Sequence, residues 1–149
     1  MARKYQTPKR PIDKDITYVS SASLGTTQDN SVLRTSTVAE TYTGGHINAS
    51  VVPVSAGGII QMVLAVVPEG ITSPTLTTTD ANALYTPEEY VVWSQTFALI
   101  SGQVTPIQVN AKIKSMRKMK VGDRLILSAR GSVATVGTTH VLVTAFYKQ

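Results

Sequence analysis

Cations form the one group of chemically active side chains whose clustering stands out in this sequence. Residues 1–14 carry a net charge of +4 and residues 112–124 carry +5, whereas residues 25–111 carry −5. The second stretch has no aromatic residue, so it suits phosphate contact better than base stacking, and we predict nucleic-acid binding that does not read sequence. The predicted contacts are Arg3, Lys4, Lys9, Arg10 and Lys14, and a second cluster of genome or subunit contacts, Lys112, Lys114, Arg117, Lys118, Lys120 and Arg124.

Both basic stretches have a plainer alternative interpretation. Residues 1–14 contain two prolines and little apolar surface, so we expect a flexible arm, which could serve only to keep the chain in solution. The second stretch could be a solvated loop. We expect the arm to be the main contact, because a mobile segment can follow an irregular nucleic-acid backbone.

Groups suited to catalysis or metal binding are few and scattered. His46 and His140 are 94 positions apart, and neither has metal-ligand spacing around it. Glu88 and Glu89 are adjacent and point in different directions, so residues 86–89 are interpreted as the start of a short helix. No glycine pair is followed by the lysine and helix of a phosphate-binding loop. The sequence therefore predicts no catalytic residue, no metal site and no cofactor.

Threonine and valine determine the predicted fold class. The 20 threonines and 18 valines exceed a quarter of the 149 residues, and β-branched side chains favour pleated sheets. Cysteine is absent, which excludes a disulfide framework. The N-terminus lacks an apolar signal-peptide core, and the longest apolar run, Val63–Val67, is too short to cross a bilayer. We expect one all-β domain over residues 15–149, soluble, not exported and not inserted into a membrane.

Two strand patterns must position the second basic cluster. Apolar residues alternate with polar ones in residues 104–114 and again in residues 124–130, and the connection, residues 115–120, allows a helical turn or two at most. In residues 59–67 only Gln61 is polar, so both faces of that strand should be buried, the second by a loop or another subunit. With the other alternating segments the count is eight strands, typical of a two-sheet sandwich or a jelly roll.

The basic arm, the eight short strands and the segment from Lys112 to Arg130 together resemble one family. The chain is similar, over residues 15–149, to the single jelly-roll capsid proteins of small icosahedral viruses, particularly the circular single-stranded DNA viruses that encode a replication protein. The resemblance implies an eight-stranded antiparallel jelly-roll sandwich with a short flexible basic arm. It also implies a non-enzymatic subunit that self-assembles inside the host cell into a virion shell of sixty copies. The shell would enclose a genome of single-stranded DNA, with RNA as the alternative.

The arm departs from the family pattern, in which many members carry dozens of arginine-rich residues. Sixty arms at +4 would supply on the order of 240 charges, so inner-surface lysines or small cations would have to contribute. The alternative function is a jelly-roll ligand-binding or carbohydrate-binding module, in which loops such as the long one at residues 68–83 would hold the partner. Sparse aromatic residues in that loop count against it, and two isolated histidines count against a metal enzyme.

Overall fold

The computed structural model describes residues 12–53, 57–71, 78–79, 82–83, 90–134 and 137–149. Within these ranges the chain forms strands and turns and no helix that could cross a membrane. The predicted helix start at residues 86–89 and the arm cations Arg3, Lys4, Lys9 and Arg10 lie outside them. The strands are β1 (Ile12–Leu24), β2 (Asp29–Thr35), β3 (Glu40–Pro53), β4 (Gly58–Val67), β5 (Thr78–Thr79), β6 (Asn82–Ala83), β7 (Val91–Leu99), β8 (Ile107–Ile113), β9 (Arg117–Met119), β10 (Arg124–Gly131) and β11 (Gly137–Lys148).

Two antiparallel sheets form a sandwich. One has the order β1-β11-β3-β8, with β9 also pairing with β3, and the other has the order β2-β10-β4-β7. β5 and β6 pair with each other. The chain passes back and forth between the sheets, so that β1 lies beside β11 and β2 beside β10. This is the strand order of a jelly roll, and it confirms the predicted fold class, with nine strands in the two large sheets instead of eight.

Period-two alternation explains why these segments are strands. Along β3, Ile47, Ala49 and Val51 are buried, while His46 and Asn48, which alternate with them, are exposed. The same alternation in β8 and β11 turns one face of the first sheet toward the second sheet. The main core lies between the sheets, and its largest fully buried side chains are Tyr42, Tyr147, Leu24, Ile47, Ile60, Met62, Leu64, Met119, Leu125 and Val51.

Strand β4 is buried on both faces, as its sequence predicts. Val63, Ala65 and Val67 point away from the main core and form a second apolar cluster with Ile126 of β10. Tyr90 packs against that cluster, and its carbonyl oxygen accepts a hydrogen bond of 2.9 Å from the backbone N–H of Val66. The second face is therefore covered within the chain, without another subunit.

The segment predicted as a helical turn, residues 115–120, instead contains β9. Arg117–Met119 pairs with Glu40–Tyr42 of β3, and Met119 is buried in the core. Pairing and burial outweigh the modest helix propensity of so short a segment. β3 pairs with β8 on the C-terminal side of its Gly44-Gly45 bend and with β9 on the N-terminal side. Gly44 has φ of 105°, a conformation that favours glycine.

An ion-pair cluster joins the two sheets near the edge where β1 and β2 lie. Arg34 of β2 donates hydrogen bonds of 2.8 and 2.6 Å to the carboxylate of Glu40 and one of 2.7 Å to Asp15. Its guanidinium carbon lies 4.1 Å from the ring centre of Tyr147. The bonds to Glu40 raise the pKa of Arg34, and burial raises the pKa of Tyr42 to about 12. The cluster connects strands β1, β2, β3 and β11.

Candidate nucleic-acid interface

The β1-β11-β3-β8 sheet turns one face to the core and the other outward, and the second is called the outer face below. Because the strands pair in register, side chains on this face form rows across the sheet. One row contains Ile12, Lys148, Thr41 and Lys118; the next full row contains Ile16, Thr144, His46 and Lys112; a third contains Tyr18, Leu142, Asn48 and Asn110; and a fourth contains Ser20, His140, Ser50 and Gln108.

Four exposed lysines lie on the outer face, each on a different strand. Lys14 is on β1, Lys148 on β11, Lys118 on β9 and Lys112 on β8. Among the described outward positions of this sheet there is no aspartate or glutamate, because the acidic residues of β1 and β3 face the other way. Asp15, for example, contacts Arg34. The charged residues at the described positions of the outer face are therefore all cations.

The structure divides the second predicted basic cluster between different surfaces. Lys112 and Lys118 lie on the outer face, and Lys114 is exposed just beyond the end of β8. Lys120 lies in the turn before β10, where its backbone N–H donates a hydrogen bond of 2.8 Å to Asp123. The two arginines are half-buried: Arg117 occupies a core-facing position of β9, and Arg124 donates to the carbonyl oxygen of Ile71. Of the predicted arm contacts, Lys14 is in β1, which begins at Ile12, before the predicted domain start at residue 15.

A basic depression of about 370 Å³ opens on the outer face beside the Gly44-Gly45 bend. Lys112 and Lys114 line one side of it, and His46 and Phe146 line another. The rings of His46 and Phe146 meet edge to face, with centres 6.2 Å apart. Two cationic side chains over a concave surface can hold a phosphate group.

A second depression, of about 280 Å³, lies one row further along the same sheet. It is called the aromatic depression below. Its lining combines the rings of Tyr18 and His140 with polar side chains of β3 and β8, namely Asn48, Ser50, Gln108 and Asn110. The Tyr18 hydroxyl lies 2.6 Å from Nδ1 of His140. Sequence reasoning did not identify this site, because Tyr18 and His140 are 122 positions apart and only the β1–β11 register brings them together.

No protein-family model and no curated protein sequence matches this chain. The solved structures to which the chain is similar include three that align with nearly all of it. They are a capsid protein of cyanophage Pam1, at 12% identity over 98% of this chain and 91% of that chain with a TM-score of 0.45; a pilus protein of Bacillus endospore appendages, at 11% over 99% and 97% with 0.43; and a turnip yellow mosaic virus protein, at 12% over 95% and 95% with 0.40.

The fold is a jelly roll. Because the three scores are below 0.5 and the identities are at most 12%, this assignment rests on the strand order of the chain itself. A jelly roll carries many unrelated functions, so the function of this chain must be argued from its surfaces.

Proposed function

We propose that this chain is a virus coat subunit that self-assembles into a closed icosahedral shell of sixty copies. The shell encloses a nucleic-acid genome, single-stranded DNA with RNA as the alternative, through contacts that do not read sequence. The subunit is structural and not an enzyme, and it belongs to the virion after assembly in the host cell. The observation that carries the proposal is the outer face, where four strands each contribute a lysine and no described position contributes a carboxylate.

The outer face supplies charge that the arm alone lacks. Lys112, Lys118 and Lys148 add three cations per subunit to the +4 of residues 1–14. For sixty subunits the total rises to on the order of 400 positive charges, which would neutralise a comparable number of phosphates. Lysines on a flat sheet bind phosphate as point charges, so they suit a polymer of any sequence.

Exposed apolar residues at the ends of the sandwich suit contacts between copies. Hydrogen bonds join the β2–β3 and β9–β10 connections, with the Gly122 N–H donating to Ser36 and the Ser36 N–H donating to Asp123. The exposed side chains of Val38 and Val121 therefore lie at the same end of the sandwich. A closed shell would bury these two side chains on every copy, and that burial would favour association.

Sedimentation velocity and negative-stain imaging of the purified full chain test shell formation. Sixty copies of a 15.9 kDa chain would give a particle of about 950 kDa. A Val121→Asp variant should stay folded but lose particles, because a charge would replace apolar surface at the subunit contact, whereas the matched control Lys120→Asp should still assemble. A monodisperse wild-type monomer at physiological salt and high concentration would overturn the proposal.

Deletion of residues 1–11 tests the role proposed for the arm. It removes Arg3, Lys4, Lys9 and Arg10 and leaves all strands of both large sheets in place. Particles should still form, and their nucleic-acid content, measured by ultraviolet absorbance, should fall. Unchanged content would assign packaging to the outer face alone, and an unfolded product by circular dichroism would show that the arm is structural.

The second candidate is a ligand-binding module without a shell. The aromatic depression favours it, because an exposed tyrosine beside side-chain amides also suits a sugar ring. A neutral sugar gains nothing from the surrounding lysines, however, and this favours a polyanion. Binding to a glycan array by a chain that forms no particles would support the module.

A further inference from the structure

We propose that the aromatic depression is a base-stacking site for single-stranded nucleic acid, with the neighbouring basic depression holding the phosphates of the same strand. The inference rests on the proposed function, and it adds a stacking contact to recognition that would otherwise act by charge alone. One base would lie against Tyr18 and His140. Lys112 and Lys114 would contact the backbone beside it.

The two rings form a flat surface. Their planes differ by 15°, and their centres are 6.2 Å apart. Because the tyrosine hydroxyl lies 2.6 Å from Nδ1 of His140, the two ring centres could hardly be farther apart than this. The rings therefore lie end to end, and neither covers the face of the other. Tyr18 is 61% exposed. The pair therefore offers an accessible aromatic plane wider than either ring, and any base can stack on such a plane.

The floor of the depression has hydrogen-bonding groups without partners among the described residues. Asn48 and Asn110 are directly opposite each other on β3 and β8, and Gln108 lies one position further along the same face of β8. Their side-chain amides make no hydrogen bond to another described residue. Each amide offers both a donor and an acceptor, so the three can pair with the polar edge of any base. They add contacts without selecting one base.

The spacing of the two depressions fits consecutive parts of one strand. Lys112 follows Asn110 by two residues on the same face of β8, a distance of about 7 Å along the strand. On β3, His46 stands in the same relation to Asn48. A base at the amides therefore has a cation within reach of its own or the next phosphate.

Charge favours nucleic acid over the other possible occupants. A second copy of this chain packed face to face through a twofold axis would bring its lysines against these lysines, which is unfavourable where no carboxylate is present. A neutral sugar would leave the lysines unused. A single strand of nucleic acid satisfies the rings, the amides and the lysines together.

Matched oligonucleotides test the site on the purified full chain. Fluorescence anisotropy compares a labelled 20-nucleotide oligothymidine with an abasic oligonucleotide of the same length, which keeps the phosphates and lacks the bases. The protein is held below the concentration at which light scattering detects particles, or in the Val121→Asp background if particles persist. Wild type should bind the base-bearing strand between about 5-fold and about 150-fold more tightly, the range for base stacking on an aromatic side chain.

Three variants separate stacking from charge. Tyr18→Ala should lose most of the preference for the base-bearing strand and keep its affinity for the abasic one, while Tyr18→Phe should keep the preference. Lys112→Ala should weaken both strands equally and lower the slope of binding against salt by about 0.7. The control, Ile16→Ala, changes an exposed residue on the same face of β1 outside the depression and should alter neither.

The outcomes distinguish the inference from the proposed function. Equal affinity of wild type for the two strands, or a preference that survives in Tyr18→Ala, overturns the stacking site even if particles form. A preference that Tyr18→Ala abolishes, in a chain that never forms particles, upholds the site and overturns the shell. Glycan-array binding that is lost in Tyr18→Ala assigns the depression to sugar and overturns the inference.

Discussion

Replacement of Arg34 should lower the free energy of unfolding far more than replacement of Asp15, its more exposed ion-pair partner. Glu40 is fully buried at its side chain, and it accepts two hydrogen bonds from Arg34 and one of 2.7 Å from Ser36. Arg34→Met keeps most of the apolar stem but leaves the buried carboxylate without a counter-charge. Loss of one partner from a buried pair costs about 3–5 kcal/mol in the free energy of unfolding.

The comparison with Asp15 sets the scale. Its side chain is 39% exposed, so Asp15→Asn, which keeps the shape and removes the charge, should cost less than about 1 kcal/mol despite the 2.7 Å contact. In the double variant Arg34→Met, Glu40→Leu no buried charge remains, and most of the loss should be recovered because apolar replacement of a buried pair is often neutral. Coupling between the two changes should therefore exceed about 2 kcal/mol.

Urea unfolding of dissociated subunits, followed by circular dichroism, measures these differences. At a typical urea dependence, the Arg34→Met loss corresponds to a midpoint shift of about 2 M. Subunits must be held apart, since assembly would stabilise every variant by mass action. A loss below about 1 kcal/mol for Arg34→Met, or a double variant no more stable than the single one, would refute the view that Arg34 compensates a buried charge.

Three further outcomes follow from named contacts. Burial raises the pKa of Tyr42 to about 12, above its value in the unfolded chain. Tyr42 therefore contributes fully to stability below pH 10, and up to about 1.4 kcal/mol of stability is lost per pH unit as the pH rises from 10 to about 12. Tyr42→Phe should reduce this alkaline loss in urea titrations. Gly45→Ala would place a Cβ atom in collision with the backbone carbonyl oxygen of Thr144, so the β3–β11 pairing should break and the soluble yield should fall. Lys118→Gln should flatten the salt dependence of oligonucleotide binding by about 0.7, whereas Lys120→Gln should not, because only Lys118 lies on the outer face.

Local sequence patterns predict most of the strands, because alternation is a property of each strand by itself. The alternation in residues 104–114, for example, predicts a strand, and the structure has β8 there, at Ile107–Ile113. β9 escapes prediction because its three residues have no periodicity of their own. It is a strand because Tyr42 and its neighbours in β3 provide backbone partners some 75 positions earlier in the chain.

The candidate site depends on long-range register, which the sequence does not reveal. Alternation groups Tyr18 with Ile16 on the more apolar side of β1, yet both side chains are exposed in the structure, and nothing in the sequence indicates that the neighbour of Tyr18 is His140. The basic cluster of residues 112–124 is continuous in sequence. In the structure, Lys118 lies on the outer face whereas Lys120 lies in the turn before β10, so the two lysines are on different surfaces. A clue was available for Arg34, since a lone cation in an acidic stretch of the chain is expected to have a partner.

The position of β11 between β1 and β3 has a consequence for synthesis. β1 pairs with β11 along most of its length, and β3 has β11 as its neighbour on one side, so the sheet has a gap until β11 has left the ribosome. Ile12 and Lys148 meet only after a loop of more than a hundred residues has closed, which predicts slow folding. The outer face is then incomplete on every nascent chain from which β11 has not yet emerged. Messenger RNA near the ribosome would meet no finished binding surface until β11 pairs with β1 and β3.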